Sequence, residues 1–365
     1  MTVMKLGILG LGNISGQYLA QLPKLANLEL VAVADLRPEV AGAVAADLGV
    51  RALTPEQLVA DAEVEVVLNL TTPAAHAPTS IALLRAGKHV YVEKPLALTP
   101  DEASAMLAAA DEGGVRLGVA PDTVLGTGIQ TARAVIDAGE IGVPISAVAT
   151  FSSPGHEAWH PNPGFYYAKG GGPLLDMGVY YLTALVTLLG PVESVAGMAS
   201  RTRGQRLVPE GAPRAGEVLE VEVDTHVQAL VRHANGALTT LITSFDIVSS
   251  TMPLIEVHGE RGSLQVPDPN GFGGRVLWRD RGASTWVEVE DRAGFIDAGR
   301  GYGLSDLVSS IEHDRPARQG ADLSRHVFEV MDAILASAHS DRVITIESRC
   351  ERPAAVPWGS LPADS

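Results

Sequence analysis

The sequence contains little cysteine and little lysine, and each shortage excludes a class of protein. Cys350 is the only cysteine among 365 residues, so the chain cannot form an internal disulfide or a cysteine-based zinc site. One free cysteine is typical of a reducing compartment. Lysines are few and scattered, and 43 acidic side chains against 27 basic ones give a net charge of −16. Binding of nucleic-acid phosphates needs clustered Lys and Arg, so we expect no nucleic-acid partner.

Long apolar segments are also missing. The run over residues 182–189 is far shorter than the roughly 20 residues that a membrane-spanning helix needs. The first 16 residues lack a basic start and are interrupted by Gly7, Gly10 and Gly12, which predicts no signal peptide. We therefore expect a cytoplasmic protein with no membrane partner.

The residues that are present predict two domains with a sizeable core. Hydrophobic side chains make up 46% of the chain and charged ones only 19%, and single cores stop growing beyond roughly 250–300 residues. Residues 1–121 alternate apolar strands with helix-like runs rich in Ala, Leu and Glu, which predicts an α/β domain with a doubly wound parallel sheet, a Rossmann fold. The predicted strands are residues 4–9, 28–34, 64–70, 89–92 and 116–119. The predicted helices are residues 14–22, 38–48, 74–86 and 100–112.

Residues 122–350 follow a different pattern. Most of the segment after residue 190 alternates apolar and polar side chains with turns between, as in residues 221–225 and 238–245, which predicts a large open, mostly antiparallel sheet. The predicted helices here are residues 127–138, 174–189, 302–312 and 322–340. We expect this α+β domain to bind substrate. We also expect it to form a homodimer or homotetramer, because an open apolar sheet face would leave an exposed apolar patch larger than monomers usually tolerate. Residues 351–365 are interpreted as a C-terminal tail.

The first motif is Gly10-Leu11-Gly12-Asn13-Ile14-Ser15, which follows a predicted strand and opens a helix. Gly10 permits a tight turn and Gly12 lets the backbone approach a pyrophosphate. Asp35 ends the next strand, where its carboxylate accepts hydrogen bonds from the ribose hydroxyls and repels a 2′-phosphate, which favours NAD. Arg37 keeps NADP possible, because Arg pairs with that phosphate. The predicted cofactor-binding residues of this motif are Gly10, Gly12, Asn13, Ile14, Asp35 and Arg37.

The second motif is Glu93-Lys94-Pro95 after the strand at 89–92, preceded by Thr71-Thr72-Pro73-Ala74-Ala75-His76. Together these stretches resemble the glucose-fructose oxidoreductase / inositol dehydrogenase (Gfo/Idh/MocA) family, in which a cis peptide bond typically precedes this proline. The resemblance implies that Lys94 reaches both the nicotinamide ribose and the substrate oxygen, where an ammonium would stabilise a developing alkoxide. It also extends the predicted cofactor site to Thr71, Pro73, His76, Glu93 and Lys94.

The third motif, Gly170-Gly171-Gly172 followed by Asp176, Gly178 and Tyr180, resembles the family's Gly-Gly-Gly…Asp-x-Gly-x-His segment. Tyr180 stands where many members carry the catalytic histidine, although tyrosine is also found there, for example in glucose-fructose oxidoreductase. A phenol exchanges a proton with the substrate if a nearby cation lowers its pKa from about 10. The resemblance therefore implies Lys94, Asp176 and Tyr180 as catalytic residues, and whether Tyr180 or Lys94 is the acid/base stays open.

His156-Glu157-Ala158-Trp159-His160 matches the zinc-protease pattern H-E-x-x-H. That chemistry needs both imidazoles on a sustained helix, and Pro161 disfavours helix at the residue before it. We predict no metal site and interpret the segment as a substrate loop, in which His160 and Tyr166 join Lys94, Asp176 and Tyr180 as substrate-binding residues. The acids Asp122 and Asp246 are interpreted as ordinary loop or strand-end residues.

The resemblance covers nearly the whole chain and implies hydride transfer between a nicotinamide and a hydroxyl-bearing or carbonyl carbon of a sugar, inositol or related polyol. Two other functions on the same fold stay open: a non-catalytic NAD(P)-sensing regulator and an NAD-dependent glycosidase. The sequence does not name the sugar or the direction of the reaction.

Overall fold

The computed structural model describes residues 2–364, which contacts divide into two compact units. Unit 1 comprises the chain up to Gln130, Arg292–Arg325 and the residues from Pro353 onward. Unit 2 comprises Thr131–Asp291 and His326–Arg352. The predicted fold class is confirmed, because unit 1 carries a parallel sheet and unit 2 a larger, mostly antiparallel one.

The helices and strands are numbered here in chain order. The α-helices are α1 Ser15–Leu19, α2 Pro38–Leu48, α3 Pro55–Ala60, α4 Pro73–Arg85, α5 Pro100–Gly113, α6 Thr127–Asp137, α7 Val179–Leu189, α8 Tyr302–Glu312 and α9 Ala321–Ser340. The first strands are β1 Met4–Leu9, β2 Leu28–Ala34, β3 Arg51–Leu53, β4 Val66–Asn69, β5 His89–Val92, β6 Leu117–Val119, β7 Pro144–Ser152 and β8 Val192–Ser200. The others are β9 Gln205–Leu207, β10 Val218–Glu220, β11 His226–His233, β12 Leu238–Ser244, β13 Ile255–Gly259, β14 Gly262–Val266, β15 Val276–Asp280, β16 Val287–Val289 and β17 Ile344–Thr345.

The sheet of unit 1 has the strand order β3-β2-β1-β4-β5-β6 with parallel pairing throughout. The order reverses between β1 and β4, and ligands of such sheets bind beyond the carboxyl ends of the strands at that point. The short elements β3 and α3 were not predicted, because three residues carry too little alternation to indicate a strand. Thr54 and Gln57 form a capping box at α3, with Pro55 in the first turn, and this signal is readable in the sequence.

Helix α8 belongs to unit 1 although it lies far along the chain. Leu304, Leu307 and Val308 pack into the same core as Ile8 and Tyr91. Because of this packing, residues 292–325 belong to unit 1, although the sequence analysis assigned everything from residue 122 to residue 350 to the second domain. The sequence of a helix does not indicate which sheet the helix covers.

Two polar residues hold α8 in this place through four hydrogen bonds. Asn27 Nδ2 donates to the Ser305 carbonyl at 2.9 Å, and Ser305 Oγ donates to Asn27 Oδ1 at 2.6 Å. Asp122 Oδ2 accepts from the backbone N–H groups of Gly301 and Gly303 at 2.8 and 3.0 Å. Asp122, interpreted from the sequence as an ordinary loop acid, thus satisfies the otherwise unpaired amides at the start of α8.

The last residues also pack with unit 1. Arg318 donates to the carbonyls of Ala354 and Ala355 at 3.2 and 3.3 Å, and the Val356 N–H donates to Gln130 Oε1 at 2.9 Å. The segment interpreted as a tail is therefore hydrogen-bonded to this unit, at least over these three residues.

The sheet of unit 2 has the order β16-β15-β14-β13-β7-β12-β11-β8-β17, and only the β7–β12 pair is parallel. Helix α7 is buried on all sides, as expected for a helix that is apolar all round. The predicted helix 174–189 is present, but its first turn, Leu174–Gly178, is π-helical. No helix in the described part of the chain is long and apolar enough to cross a membrane.

His233, on strand β11, is a fully buried histidine whose two ring nitrogens both have partners. Nδ1 lies 2.9 Å from the Gly190 carbonyl oxygen and Nε2 lies 3.0 Å from Thr239 Oγ1. A neutral imidazole with its hydrogen on Nδ1 satisfies both contacts. Burial lowers the pKa of His233 below its usual value.

We predict that this histidine makes the protein less stable in acid. Because the folded pKa is depressed, its stabilising contribution is present above the unfolded pKa of about 6.5 and is lost as the pH falls. In denaturant titrations between about pH 7 and pH 5, the free energy of unfolding should fall less steeply for His233→Asn than for the wild type. His226→Asn, a half-buried position on the same strand, is the control and should keep the wild-type slope. Equal slopes for all three proteins would contradict the prediction.

Candidate functional site

The glycine loop after β1 is shaped for close approach by another molecule. Gly10 has φ = +94°, and a Cβ there would lie 2.7 Å from the Leu70 carbonyl oxygen, so only glycine fits. Around the Cβ position of Gly12 no atom lies within 4 Å. Ser15 Oγ donates to the Gly12 carbonyl at 2.7 Å and closes the turn. Asn13 is exposed and Ile14 is half-buried, so the outer side of the loop has room for a ligand.

Asp35, directly after β2, ties this loop to the neighbouring strand. Its Oδ2 accepts from the Leu11 N–H at 2.9 Å, and its Oδ1 accepts from the Arg37 N–H at 3.0 Å and from Arg37 Nε at 3.1 Å. Burial by itself would raise the pKa of Asp35, but the hydrogen bonds from Arg37 and Leu11 outweigh it and the pKa lies below its usual value. The Asp35 side chain is 9% exposed and that of Arg37 is 59% exposed. An ionised carboxylate thus lies at the strand end where ribose hydroxyls bind in such folds.

The loop after β4 is organised by Asn69, which sequence reasoning missed. Asn69 Oδ1 accepts from the Thr71 N–H at 3.1 Å and from Thr71 Oγ1 at 2.7 Å, while its Nδ2 donates to Thr79 Oγ1 and Ser80 Oγ on α4. The signal available in the sequence was a polar residue near the end of an apolar strand run. Pro73 occupies the first turn of α4, so the predicted residues Thr71 and Pro73 both lie in this loop.

His76 joins the loop after β4 to the loop after β5. Its Nε2 lies 2.9 Å from the Thr71 carbonyl oxygen and its Nδ1 lies 2.8 Å from the Pro95 carbonyl oxygen. Burial lowers the pKa of this histidine, although both carbonyls act in the opposite direction. His76 thus connects the two loops from a buried position in unit 1, and its place in the cofactor site stays a prediction.

Glu93 fixes the backbone of Lys94. The Glu93 Oε2 atom accepts from the Lys94 N–H at 2.9 Å, and its Oε1 accepts from Tyr18 Oη at 2.7 Å. Burial raises the pKa of Tyr18 well above its usual value, so the phenol stays a donor. The Lys94–Pro95 peptide bond is cis, as the resemblance implied, and the Lys94 side chain is half-buried. Tyr18 was not predicted; it is a buried phenol in the helix after the glycine loop, and nothing local marks its partner.

These loops follow the carboxyl ends of β1, β2, β4 and β5, which share one edge of the sheet. The open space at Gly12 and the ionised Asp35 fit a dinucleotide, with the glycine loop toward its phosphates and Asp35 toward a ribose. In unit 1 the structure therefore brings together the predicted residues Gly10, Gly12, Asn13, Ile14, Asp35, Arg37, Thr71, Pro73, His76, Glu93 and Lys94 as neighbouring loops of a single sheet edge.

In unit 2, Asp176 is paired with a histidine that was assigned no role in the site. His156 Nε2 lies 3.1 Å from Asp176 Oδ2, and the two side chains are 9% and 13% exposed. The His156 ring packs against Tyr166, with ring centroids 4.3 Å apart, and Tyr166 in turn packs against His160 at 5.2 Å. The structure thus joins three predicted substrate residues, Asp176, His160 and Tyr166, through His156. Tyr180 lies one helical turn beyond, buried in α7.

A network of buried ionic contacts and hydrogen bonds holds the backbone next to His156. Arg206 Nε donates to Glu157 Oε1 at 2.8 Å, and its Nη1 donates to Asp246 Oδ1 at 3.2 Å. Tyr167 Oη donates to the other Glu157 oxygen and accepts from the His156 N–H at 3.1 Å. Asp246, interpreted as an ordinary strand-end acid, is a member of this network. Arg206, on the short strand β9, was missed, because a single arginine in a three-residue strand carries no signal of burial in the sequence.

The H-E-x-x-H segment has the geometry of a loop and not of a zinc protease. Glu157 is bound to Arg206, and His156 is bound to Asp176. Only turns surround the motif, with no α-helix over these residues. Among residues 2–364 there is no group of three or more His, Cys, Asp or Glu side chains that could hold a metal ion.

Comparison with known proteins identifies the family. Residues 4–120 match "Oxidoreductase family, NAD-binding Rossmann fold", and residues 129–265 match "GFO/IDH/MocA C-terminal domain". A 1,5-anhydro-D-fructose reductase from Ensifer adhaerens is 30% identical over 266 residues, which cover 71% of this chain and 74% of that protein. The chain belongs to the GFO/IDH/MocA oxidoreductase family. The resemblance seen in the sequence is confirmed, and unit 1 contains an NAD-binding Rossmann domain.

Other relatives agree with this assignment. A myo-inositol 2-dehydrogenase from Thermotoga maritima is 28% identical, over 72% of this chain and 74% of that protein. The crystal structure of an NAD-binding oxidoreductase from Klebsiella pneumoniae superposes with a TM-score of 0.79 at 26% identity, over 94% of this chain and 99% of that one. The similarity therefore extends over both units of the fold.

We predict that NAD(H) binds more tightly than NADP(H), because the ionised Asp35 repels a 2′-phosphate. Calorimetric titration of each cofactor into the protein should give a Kd for NAD(H) that is lower than that for NADP(H) by about tenfold or more. Asp35→Ser should narrow this preference by removing the repulsion.

Arg37→Ala serves as the matched control, since it removes the partner of Asp35 and keeps the carboxylate. It should retain the preference for NAD(H). Equal or tighter binding of NADP(H) by the wild type would contradict the prediction and assign the ribose site to Arg37.

Proposed function

We propose that the protein is an NAD-dependent dehydrogenase or reductase that acts on a hydroxyl or carbonyl carbon of a sugar, inositol or related polyol. The observation that carries this proposal is the pair of hydrogen bonds that fixes the Lys94 loop. Tyr18 donates to Glu93, and Glu93 accepts from the backbone N–H of Lys94, so a lysine is held at the carboxyl ends of the strands of the NAD-binding sheet. The relatives named above support the substrate class, since one is a reductase of an anhydrosugar and another is a dehydrogenase of myo-inositol.

The cofactor would be held by the glycine loop, Asp35 and the loops after β4 and β5. Bound nicotinamide supplies the hydride acceptor or donor. The task left to the protein is to orient the substrate and to manage the charge and the proton on its oxygen.

Three residues would share that task. Lys94 polarises the substrate oxygen, because an ammonium stabilises the negative charge that develops on an alkoxide. Tyr180 takes the hydroxyl proton in oxidation and returns it in reduction, a role that its phenol performs if its pKa is lowered from about 10. Asp176 binds a substrate hydroxyl as a charge-assisted hydrogen-bond acceptor.

The aromatic cluster of unit 2 suits a polyol with apolar C–H faces. Trp159 and Phe165 are both exposed side chains next to His160, with ring centroids 5.3 and 5.4 Å from it. Rings that combine an apolar face with nearby polar groups are well suited to bind a sugar. We therefore assign His160 and Tyr166 to the substrate site together with Asp176.

A screen of sugars, inositols and diols with NAD or NADH, followed at the absorbance band of the reduced nicotinamide, tests the function directly. Turnover of at least one polyol is the expected result. Tight NAD binding without turnover across the panel would contradict the proposal and favour a regulator.

With a substrate in hand, we predict that Lys94→Ala lowers kcat by a hundredfold or more, the order of magnitude for loss of one electrostatic donor. Tyr180→Phe should lower kcat by about 10²–10⁴ while cofactor binding, measured by fluorescence titration, stays unchanged. Tyr180→His is the companion variant, since an imidazole in this position should restore proton transfer in part. Near-normal turnover of Tyr180→Phe would assign the tyrosine to packing and leave Lys94 as the acid/base.

We also propose that the open face of the nine-stranded sheet joins copies of the chain as a homodimer or homotetramer. Met198, Leu230 and Leu238 lie on the adjacent strands β8, β11 and β12, and all three are exposed. Apolar side chains grouped in this way on an open sheet face mark an interaction surface.

We predict that Leu230→Glu shifts the sedimentation equilibrium toward monomer, because a carboxylate in the contact must be desolvated. Leu361→Glu is the matched control: Leu230 is 59% exposed and Leu361, in unit 1, is 55% exposed. It should leave the association unchanged. A wild-type protein that is monomeric at micromolar concentration would refute this proposal without affecting the catalytic one.

A further inference from the structure

His156 is the residue in unit 2 whose surroundings are least like those of a packing histidine. Its ring is enclosed by the aromatic rings of Trp159, Tyr166 and Phe245, with centroids between 4.3 and 5.2 Å away. Within this apolar enclosure its Nε2 lies 3.1 Å from Asp176 Oδ2. A carboxylate in such surroundings needs a hydrogen-bond donor, and His156 provides one.

The tautomer of His156 follows from this contact. An ionised carboxylate only accepts, so Nε2 carries a hydrogen, and we assign the lone pair to Nδ1 because no acceptor among the described residues faces it. The Nδ1 atom is buried and has no hydrogen-bond partner among the described residues. A buried polar atom without a partner costs free energy and therefore calls for an explanation in a native structure.

The position of the ring is set by the backbone and not only by packing. The His156 N–H donates to Tyr167 Oη, and Tyr167 is held by Glu157, which Arg206 binds at 2.8 Å. Gly155 permits the turn before it, with φ = +111°, and a Cβ there would overlap Glu157 and Tyr167. The imidazole is therefore presented to Asp176 by a rigid support.

We propose that His156 is a positioning residue: its neutral imidazole donates from Nε2 to Asp176 and holds that carboxylate in the orientation that binds a substrate hydroxyl. This inference rests on the proposed function, in which Asp176 contacts the substrate. Asp176 lies in the π-helical turn before α7, and the hydrogen bond from His156 restricts rotation of its carboxylate about χ1 and χ2. Small displacements of a group that orients the substrate lower turnover by up to about 10²-fold.

In the described part of the chain, five titratable groups lie around His156, and two of them are phenols: Tyr166 packs on its ring, and Tyr167 accepts from its backbone N–H. Asp176 is its partner, His160 lies in the same aromatic cluster, and the Glu157 carboxylate next to it is bound to Arg206. Burial lowers the pKa of His160. The contact between His156 and Asp176 is thus the one that substitution at residue 156 would change most directly.

Two amide variants separate this role from packing. The side-chain nitrogen of Gln is as many bonds from Cβ as Nε2 of His, whereas that of Asn corresponds to Nδ1. His156→Gln should keep kcat for the best polyol within about threefold of the wild type. His156→Asn and His156→Leu should lower kcat by about tenfold to a hundredfold, with the Kd for NAD unchanged. Equal losses in all three variants, or none in His156→Leu, would overturn the proposal.

A double variant tests whether the effect passes through Asp176. In an Asp176→Ala background, His156→Leu should cause little further loss, because the carboxylate that it positions is already gone. Full additivity of the two losses would contradict a positioning role.

A spectroscopic readout is independent of turnover. The side-chain ¹⁵N shifts of His156 should show hydrogen on Nε2 in the wild type, and the signal should move in Asp176→Ala. Hydrogen on Nδ1 would overturn the inference itself. Lack of turnover of every polyol by the wild type, with the Nε2 tautomer present, would instead contradict the proposed function and remove the catalytic meaning of the pair.

Discussion

The buried carboxylate of Glu93 is the constraint on which the cofactor side of this protein depends. It accepts one hydrogen bond from the phenol of Tyr18 in α1 and one from the backbone of Lys94. A carboxylate removed from water is stable only when its oxygens are paired. Because its two partners come from the helix behind the glycine loop and from the Lys94 loop, the same requirement fixes both loops relative to one sheet edge.

Unit 2 also contains a buried charged side chain that needs partners, but here the central charge is positive. The Arg206 guanidinium, nearly inaccessible to solvent, binds Glu157 and Asp246 and also donates to the Phe245 carbonyl at 3.0 Å. Its planar fork satisfies several acceptors at once, which an ammonium could not do. These contacts hold the conformation of residues 153–172, a segment rich in Pro and Gly with little regular secondary structure. The aromatic side chains of the proposed substrate site lie in this segment.

Buried polar groups of this kind explain how loops can carry chemistry. Asn69, His76 and Asp122 each satisfy backbone amides or carbonyls that would otherwise be unpaired at strand ends or at a helix start. Each adds little net stability as a hydrogen bond, but its loss would leave a buried group unpaired. The side chains proposed to contact ligands, Lys94 and Asp176, can then be held without being buried as deeply themselves.

Much of this architecture could be predicted from the sequence. Apolar runs with the period of strands and helices predicted β1, β2, β5, α2 and α8 with the bounds that the structure shows, because such patterns depend on local geometry. The glycine motif, the Glu-Lys-Pro motif and the Gly-Gly-Gly segment led to the family, since their chemistry is carried by residues close together in the chain.

The remaining features depended on contacts between residues far apart in the chain. Nothing near Arg206 predicts that it lies between Glu157 and Asp246, and nothing near residue 304 predicts that α8 covers the sheet of unit 1. His156 matched a metal-binding pattern by its neighbours in sequence, yet its partner in the structure is Asp176, twenty residues away. Local periodicity determined which segments form helices and strands, whereas burial and charge pairing, which arise only when distant segments pack, decided what each polar side chain does.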